Sequence, residues 1–536
     1  MPGTPLAPPR NFPVAWDDPA DAERYWITDL QHHAYPQVPL AHALGEAFPR
    51  GMNKAFVQDG PPPSPPRMLT LNGYAYTEYR ALPPGPPPRL AGLDDSLKPL
   101  ARWEQRILPA VEALIAPLKA ASLDALSLPE LVRFACALPE PLERLGTLHH
   151  QAVLPFGMAA GMLTGFCARF GLSRAEVAEM GHGVESLSLA SNRQQYALGR
   201  AAATDPLLLA VLEESRAGEI EPRLRTLGAP AAALLAGVAA HIAAFGWRVG
   251  SLHPFSRPVM DDPTPVWVAH RAAATGAMRD PDAQHAAVAR RREALVAALR
   301  ARLTDEQRTR FDQLYAAALP AVQIMEDHNV LIDQVVHALV QRTCDRVARR
   351  LHAAALVRER EDGYFLSLEE LAALDLAAPD AARIATLAGR RQEWTRWCTY
   401  AAPVALGTRP AEVDDFADQF FGRVHEGTGN PRVLSGTPGS AGLVSGTARV
   451  LRDMSEADRL GPGEILVCIT TLPPWTPLFA RAGGIVTVSG GVLAHAAITA
   501  REYGIPAVLS VADATSLIED GQRVTVDGTN GIVRLE

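Results

Sequence analysis

The chain has 536 residues, 48% of them hydrophobic and 21% charged, with a formal net charge of -8. This suits a globular protein of roughly two to four domains, at about 100–200 residues each. The acidic excess is spread without a basic block, which argues against nucleic acid as a partner.

No run of about eighteen apolar residues occurs, and the start, MPGTPLAPPRNFPVAW, lacks an apolar signal core, so neither a membrane partner nor secretion is expected. The five cysteines (Cys136, Cys167, Cys344, Cys398, Cys468) show no CxxC spacing, which predicts a reduced, cytoplasmic protein without a disulfide framework or zinc site. Residues 1–93 carry the runs GPPPSPPR and LPPGPPPR, which oppose helix interiors and central strands. Between them RMLTLNGYAYTEYR predicts two strands joined by an Asn-Gly turn. This stretch is expected to be loop-rich and to pack on the helical region next to it in sequence.

Residues 94–408 read as helix. Apolar residues recur at spacings of three and four, as in LARWEQRILPAVEALIAPLKAA, and Ser127, Ser173 and Ser367 each stand three residues before a Glu, the spacing of a capping box. Residues 409–431 read as a linker, with glycines, Asn430 and a proline after a short acidic helix. In residues 432–536 the period switches to two: LVSGTARVL, EILVCIT, GGIVTVSG, PAVLSV, QRVTVDG and GIVRLE predict strands, with helices near Trp475–Arg481 and Ala494–Tyr503. The fold class is therefore a mainly α-helical region followed by a small mixed β/α domain.

Within that last part, GGVLAHAAITARE places His495 after a turn bearing Gly490 and Gly491 and at the start of a helix. A helix N-terminus offers unpaired N–H groups and a partial positive charge, which suit a histidine that transiently carries a phosphoryl group. A histidine that merely caps or packs at a strand–helix corner fits the same local composition.

The ordered series LSGTPGSAGLVSGTARVL, GEILVCITTLPPWTPLF and RAGGIVTVSGGVLAHAAITAREYGIPAV closely resembles the phosphohistidine, or swivelling, domain of PEP-utilising enzymes. The resemblance puts that family's phosphorylated histidine on His495 and its following helix arginine on Arg501. Ala494 departs from the Ser, Thr or Cys that relatives often carry, so a hydroxyl contact from that position is absent. More loosely, GHGVESLSLASNRQQYALGR and FGWRVGSLHPFSRPVMDDP resemble the acceptor-binding part of the rifampin phosphotransferase group, with Trp247 where relatives often have His. Neither an ATP-grasp domain nor a Walker-type loop is recognisable, and no strand–helix alternation builds a β/α barrel.

The resemblance thus implies the acceptor-plus-carrier part of a split enzyme such as phenylphosphate synthase. A separate ATP-grasp protein would hold ATP, with Mg²⁺ expected there too, and load His495 with the β-phosphoryl group. The carrier domain would then swing on the linker and present the group to a small organic hydroxyl, a phenol among the candidates, in ping-pong covalent catalysis. Arg501, six residues after His495, is a candidate phosphoryl donor ligand, and a helix-terminal role is equally open to it.

For the acceptor, EDHNVLID places Glu326, Asn329 and Asp333 on one helix face at i, i+3, i+7, with His328 beside them as a candidate base. The same acidic group could hold a metal or simply be a solvated face. His149, His150 and Arg248 are further pocket candidates, and LPFGMAAGMLTGF either lines an apolar pocket or is core. Two non-enzymatic readings stay open: a phosphocarrier or regulatory binding protein whose histidine state gates a partner, and a substrate-binding scaffold with a silent carrier domain.

Overall fold

The three- and four-residue spacing of the middle region gives a long helical array, and the alternating C-terminal pattern gives a sheet packed with short helices. The computed structural model describes residues 4–6, 11–28, 30, 33–58, 67–79, 98–410, 425, 429–492 and 494–536. Both proline runs and nearly all of the predicted linker lie outside the described residues.

The predicted capping boxes form. Ser127, Ser173 and Ser367 begin the helices Leu128–Ala137, Arg174–Glu179 and Leu368–Ala372, each with its Glu reaching back to the cap N–H. The Asn-Gly hairpin forms too, between strands Met68–Leu71 and Tyr74–Glu78, with Asn72 at φ 49° and Gly73 at φ 78°.

Three features depart from the sequence reading. Helices Pro39–Gly45 and Ala47–Gln58 occupy part of the stretch expected to be loop-rich. Pro39 stands at the first helical position, where its missing N–H costs nothing, so proline here marks a helix start. Next, the hairpin belongs to a five-stranded sheet that includes Ala405–Arg409, more than 300 residues further along the chain. That sheet's Trp26, Tyr74 and Tyr76, with Phe12 from the segment before it, share one apolar core with Ile465, Val467, Val486 and Val508, so the N-terminal region packs on the C-terminal unit as well as on the helices. Finally, Leu128–Ala168 taken as one run is long and apolar enough to cross a membrane. It is in fact two helices meeting at Pro139, and Leu131, Leu142, Leu145 and Ala152 pack into the main helical core.

All six predicted C-terminal strands are present, joined by two short ones, Val433–Ser435 and Thr437–Ser440, in an eight-stranded mixed sheet. Its centre is parallel: Leu443–Val450, Ile465–Cys468, Gly484–Thr487 and Ala507–Leu509 lie side by side in that order. Residues 465–467, 485–486 and 507–509 are almost fully buried, as continuous apolar runs covered on both faces should be. The segments that carry Thr471 and His495 leave the carboxyl ends of two of these parallel strands, where open α/β sheets present ligands. In the final hairpin Gly531 takes φ 71°, whereas Gly528 is required by close approach: a Cβ there would lie 2.0 Å from the Ser440 carbonyl oxygen.

Candidate active site

Strand Gly484–Thr487 ends in a turn in which Gly490 has φ 105°, a conformation that side chains resist. The Ala494 N–H donates to the Gly491 carbonyl at 3.0 Å and closes the turn, and His495 opens the helix His495–Tyr503. Gly504 ends it in the left-handed conformation. The imidazole is partly buried and keeps some accessible surface.

Two hydroxyls hold the ring. His495 Nδ1 is 3.1 Å from Thr471 Oγ1, and Nε2 is 3.3 Å from Thr499 Oγ1. Position 494 offers no hydroxyl, but these two threonines do. Neither was singled out from the sequence, although Thr471 lies in the TTLPPWTP segment and Thr499 is one helical turn beyond the histidine. Phe479 packs edge-on against the ring at 6.0 Å. Burial, and after it the Arg248 guanidinium, push the imidazole down to about 4, so it is neutral at ordinary pH.

Arg248 reaches this place from the turn after helix Ala229–Phe245 and is buried. Its Nη1 and Nη2 donate to Ser191 Oγ at 2.9 Å and Ser188 Oγ at 3.4 Å, and Phe245 lies against its face at 5.3 Å. Its Nε is buried without a hydrogen bond, and among the described residues no carboxylate closes a salt bridge with it. Burial lowers this guanidinium to about 10, opposed by the Glu326 carboxylate within electrostatic reach. Ser188 and Ser191 belong to helix Leu187–Ala202, and Asp327 accepts the Leu187 N–H at its start at 2.8 Å. The EDHNVLID segment therefore supports the serines that hold Arg248.

Glu326 faces the same cleft. Burial raises its carboxyl, with His328 and Arg248 pulling it down and Asp327 pushing it up. Glu502, on the carrier helix, is raised to about 8 by the crowded cleft and by Glu326. Its side chain keeps contact with solvent, which screens part of that effect. Glu326 thus makes Glu502 harder to ionise across the junction of the helices and the C-terminal unit.

The predicted grouping of Glu326, Asn329 and Asp333 on one face does not form. Residues Asn329–Asp333 make a π-turn between helices Asp305–His328 and Gln334–Ala353, and its wider turn brings Asp333 back onto His328, five residues earlier. His328 Nε2 is 3.3 Å from Asp333 Oδ2, and His149 Nδ1 is 2.7 Å from Asp333 Oδ1. The other nitrogen of His328, Nδ1, is 3.0 Å from the Ile324 carbonyl, so both ring nitrogens are engaged. Burial opposes the charge on Asp333, but the two imidazoles overcome it and hold the carboxyl well below its ordinary range.

The other sequence candidates fall elsewhere. Arg501 donates from Nη1 to the Val492 carbonyl at 2.8 Å, bracing the turn, and its charge acts on His182, which burial and Arg501 push down to about 4. His150 is half-buried next to His149. Ala159, Leu163 and Cys167 of the LPFGMAAGMLTGF stretch and its continuation pack with Phe311 and Leu314 as core. A charged cleft of about 340 Å³ lies on the same junction, lined by residues including Arg216, Arg271, Asp458 and Arg481, and includes none of the groups around His495.

The sequence of residues 460–531 matches the model of the PEP-utilising enzyme mobile domain. The C-terminal unit is thus similar to the mobile domain of the PEP-utilising enzymes. His495, its turn and both threonines lie inside the matched span.

Relatives extend beyond it. The whole chain is 31% identical to a segment of chondramide synthase from Chondromyces crocatus, covering 14% of that protein. An uncharacterized phosphotransferase of Bacillus subtilis, YvkC, is 36% identical over 42% of this chain and 27% of its own length. A rifampicin phosphotransferase of Bacillus cereus is 51% identical over 19% of this chain and 12% of its own. The chain thus spans about a quarter or less of the length of these relatives. Two of the three are phosphotransferases by name.

Proposed function

We propose that this chain is the acceptor-binding and carrier part of an ATP-dependent phosphotransferase, built as a helical domain and a mobile domain. His495 takes a phosphoryl group from a nucleotide-binding ATP-grasp protein, which holds ATP and Mg²⁺, and passes it to a small organic hydroxyl between the mobile domain and the helices. The observation that carries this reading is Arg248: a buried guanidinium whose field acts on His495, held by serine hydroxyls and closed by no carboxylate among the described residues. An uncompensated buried cation is costly. A phosphoryl group on His495 would supply the missing anion when the mobile domain is docked.

The roles come from the contacts. Thr471 accepts the Nδ1–H of His495, which leaves the Nε2 lone pair as nucleophile with the Thr499 hydroxyl beside it. In the second half-reaction the Nε2–P bond breaks and an O–P bond forms to the acceptor. The acceptor proton goes to Glu326 in its ionised form, and the imidazole is released neutral. Arg248 and the helix N-terminus stabilise the phosphoryl oxygens in the transition state. His328 is a poorer base than Glu326 because both of its nitrogens are occupied.

The test separates the two half-reactions. Arg248→Met should still be loaded at His495 by nucleotide and partner, while discharge to a phenol panel should fall on the order of 10²-fold or more, as for loss of one oxyanion ligand. Equal discharge by Arg248→Met and wild type would refute the assignment. Loading of wild type that no acceptor ever discharges would favour the regulatory carrier instead.

A further inference from the structure

Phosphotransfer through His495, Arg248 and Glu326 leaves one buried group of side chains unused. His149 lies on helix Pro139–Ala168, His328 at the end of helix Asp305–His328, and Asp333 at the end of the π-turn. One donor atom from each lies within 4.8 Å of the other two, and all three side chains are about nine-tenths buried. We propose that His149, His328 and Asp333 form a binding site for a divalent transition metal of the zinc class.

Three observations support a metal over a packing cluster. The donor set is two imidazoles and one carboxylate, which suits a borderline divalent ion and leaves a position open. Bond lengths near 2.0–2.2 Å at tetrahedral angles separate donors by roughly 3.3 Å. His328 Nε2 to Asp333 Oδ2 is 3.3 Å and His149 Nδ1 to Asp333 Oδ1 is 2.7 Å, so small adjustments bring the donors around one ion.

The second observation is the tautomer of His328. Its Nδ1 faces the Ile324 carbonyl at 3.0 Å, and that oxygen can only accept. The proton is therefore on Nδ1, and Nε2 can present its lone pair to the cluster, the outer-shell arrangement that metal-binding histidines show. The third is the π-turn itself. An undistorted helix would turn Asp333 away from His328, and such single-turn insertions are frequent at functional sites. The ion would replace the proton shared by His149 and Asp333 and would tie helix Pro139–Ala168 to the π-turn, fixing the wall behind Glu326. This site is independent of the phosphotransfer reading, because binding is measured on the chain without nucleotide or acceptor.

The experiment uses the full chain, stripped with chelator and titrated with Zn²⁺ by calorimetry and with Co²⁺ by visible absorption. The expected result is saturable binding of one equivalent, with d–d bands from Co²⁺ and proton release on Zn²⁺ binding. His149→Gln and Asp333→Asn should each weaken binding by at least about 10-fold, the lower end of what loss of even an outer-shell partner costs. His241→Gln, a buried histidine elsewhere, should not. Circular dichroism identifies any variant that fails to fold, and His149→Gln, which keeps much of the ring's volume, then carries the comparison. Absence of saturable binding, or equal affinity in wild type and His149→Gln, would overturn the proposal and leave a proton-linked His–Asp–His network.

Discussion

His495 is held neutral by burial and by the field of Arg248, acting in the same direction, and its imidazole lies near 4 against an unfolded value of about 6.5. Between those values the unfolded or undocked histidine binds a proton that the docked one does not. The docked, folded state is therefore fully favoured above about pH 6.5 and loses stability as pH falls towards 4. His182 titrates in the same direction and adds to the effect. NMR titration of the ring should give a midpoint near 4, and Arg248→Met should raise it; an unchanged midpoint in the variant would separate the two residues electrostatically. Thr471→Val removes one neutral hydrogen bond, worth about 0.5–1.5 kcal/mol, and should slow loading of His495 by about 2–10-fold. Part of this was legible in the sequence: the family resemblance, more than the turn and helix start alone, singled out His495, and Arg248 stood among the pocket candidates. Thr471 was not distinguishable from Thr470 or Thr476, because a loop decides which hydroxyl meets the ring. Asp333 could not be paired with His328 from any regular helical period, since the pairing depends on an inserted π-turn.

At the scale of elements, the position of His149 depends on how closely two helices cross. A Cβ on Gly51 would lie 1.8 Å from the Glu143 carbonyl oxygen, and one on Gly146 would lie 2.0 Å from the Phe48 carbonyl oxygen. Helices Ala47–Gln58 and Pro139–Ala168 therefore touch backbone to backbone, one turn before His149. Gly146→Ala must push them apart and should cost about 1–3 kcal/mol or more in denaturant unfolding. It should also disturb the His149–Asp333 contact; stability equal to wild type would show that the crossing has room for a methyl group. The capping boxes, the Asn-Gly hairpin and six strands were readable because each rests on local chemistry. The helix Pro39–Gly45 and the strand Ala405–Arg409 were not, because one begins at a proline and the other pairs with residues almost 400 positions away.

Across the whole molecule, the C-terminal unit is seated on the helices by contacts that the proposed swing of the carrier would have to break. Asp458 accepts the Ala217 N–H at 2.8 Å at the start of helix Ala217–Leu227 and pairs with Arg271. Trp475 Nε1 donates to the Gly250 carbonyl at 2.7 Å, two residues from Arg248, and Arg279 donates to the Tyr503 carbonyl at 2.7 Å. Asp458→Ala removes a helix cap and an ion pair together, and small-angle scattering should show a larger undocked fraction; an unchanged profile would place the latch elsewhere. The proposed cycle needs both states, one to load His495 and one to deliver from it. Its central claim is the N-linked phosphate. The chain, incubated with β-labelled ATP and an extract of its own cells, then repurified, should carry an acid-labile, base-stable label that His495→Ala abolishes. Label retained in full by His495→Ala would contradict the carrier role of this histidine.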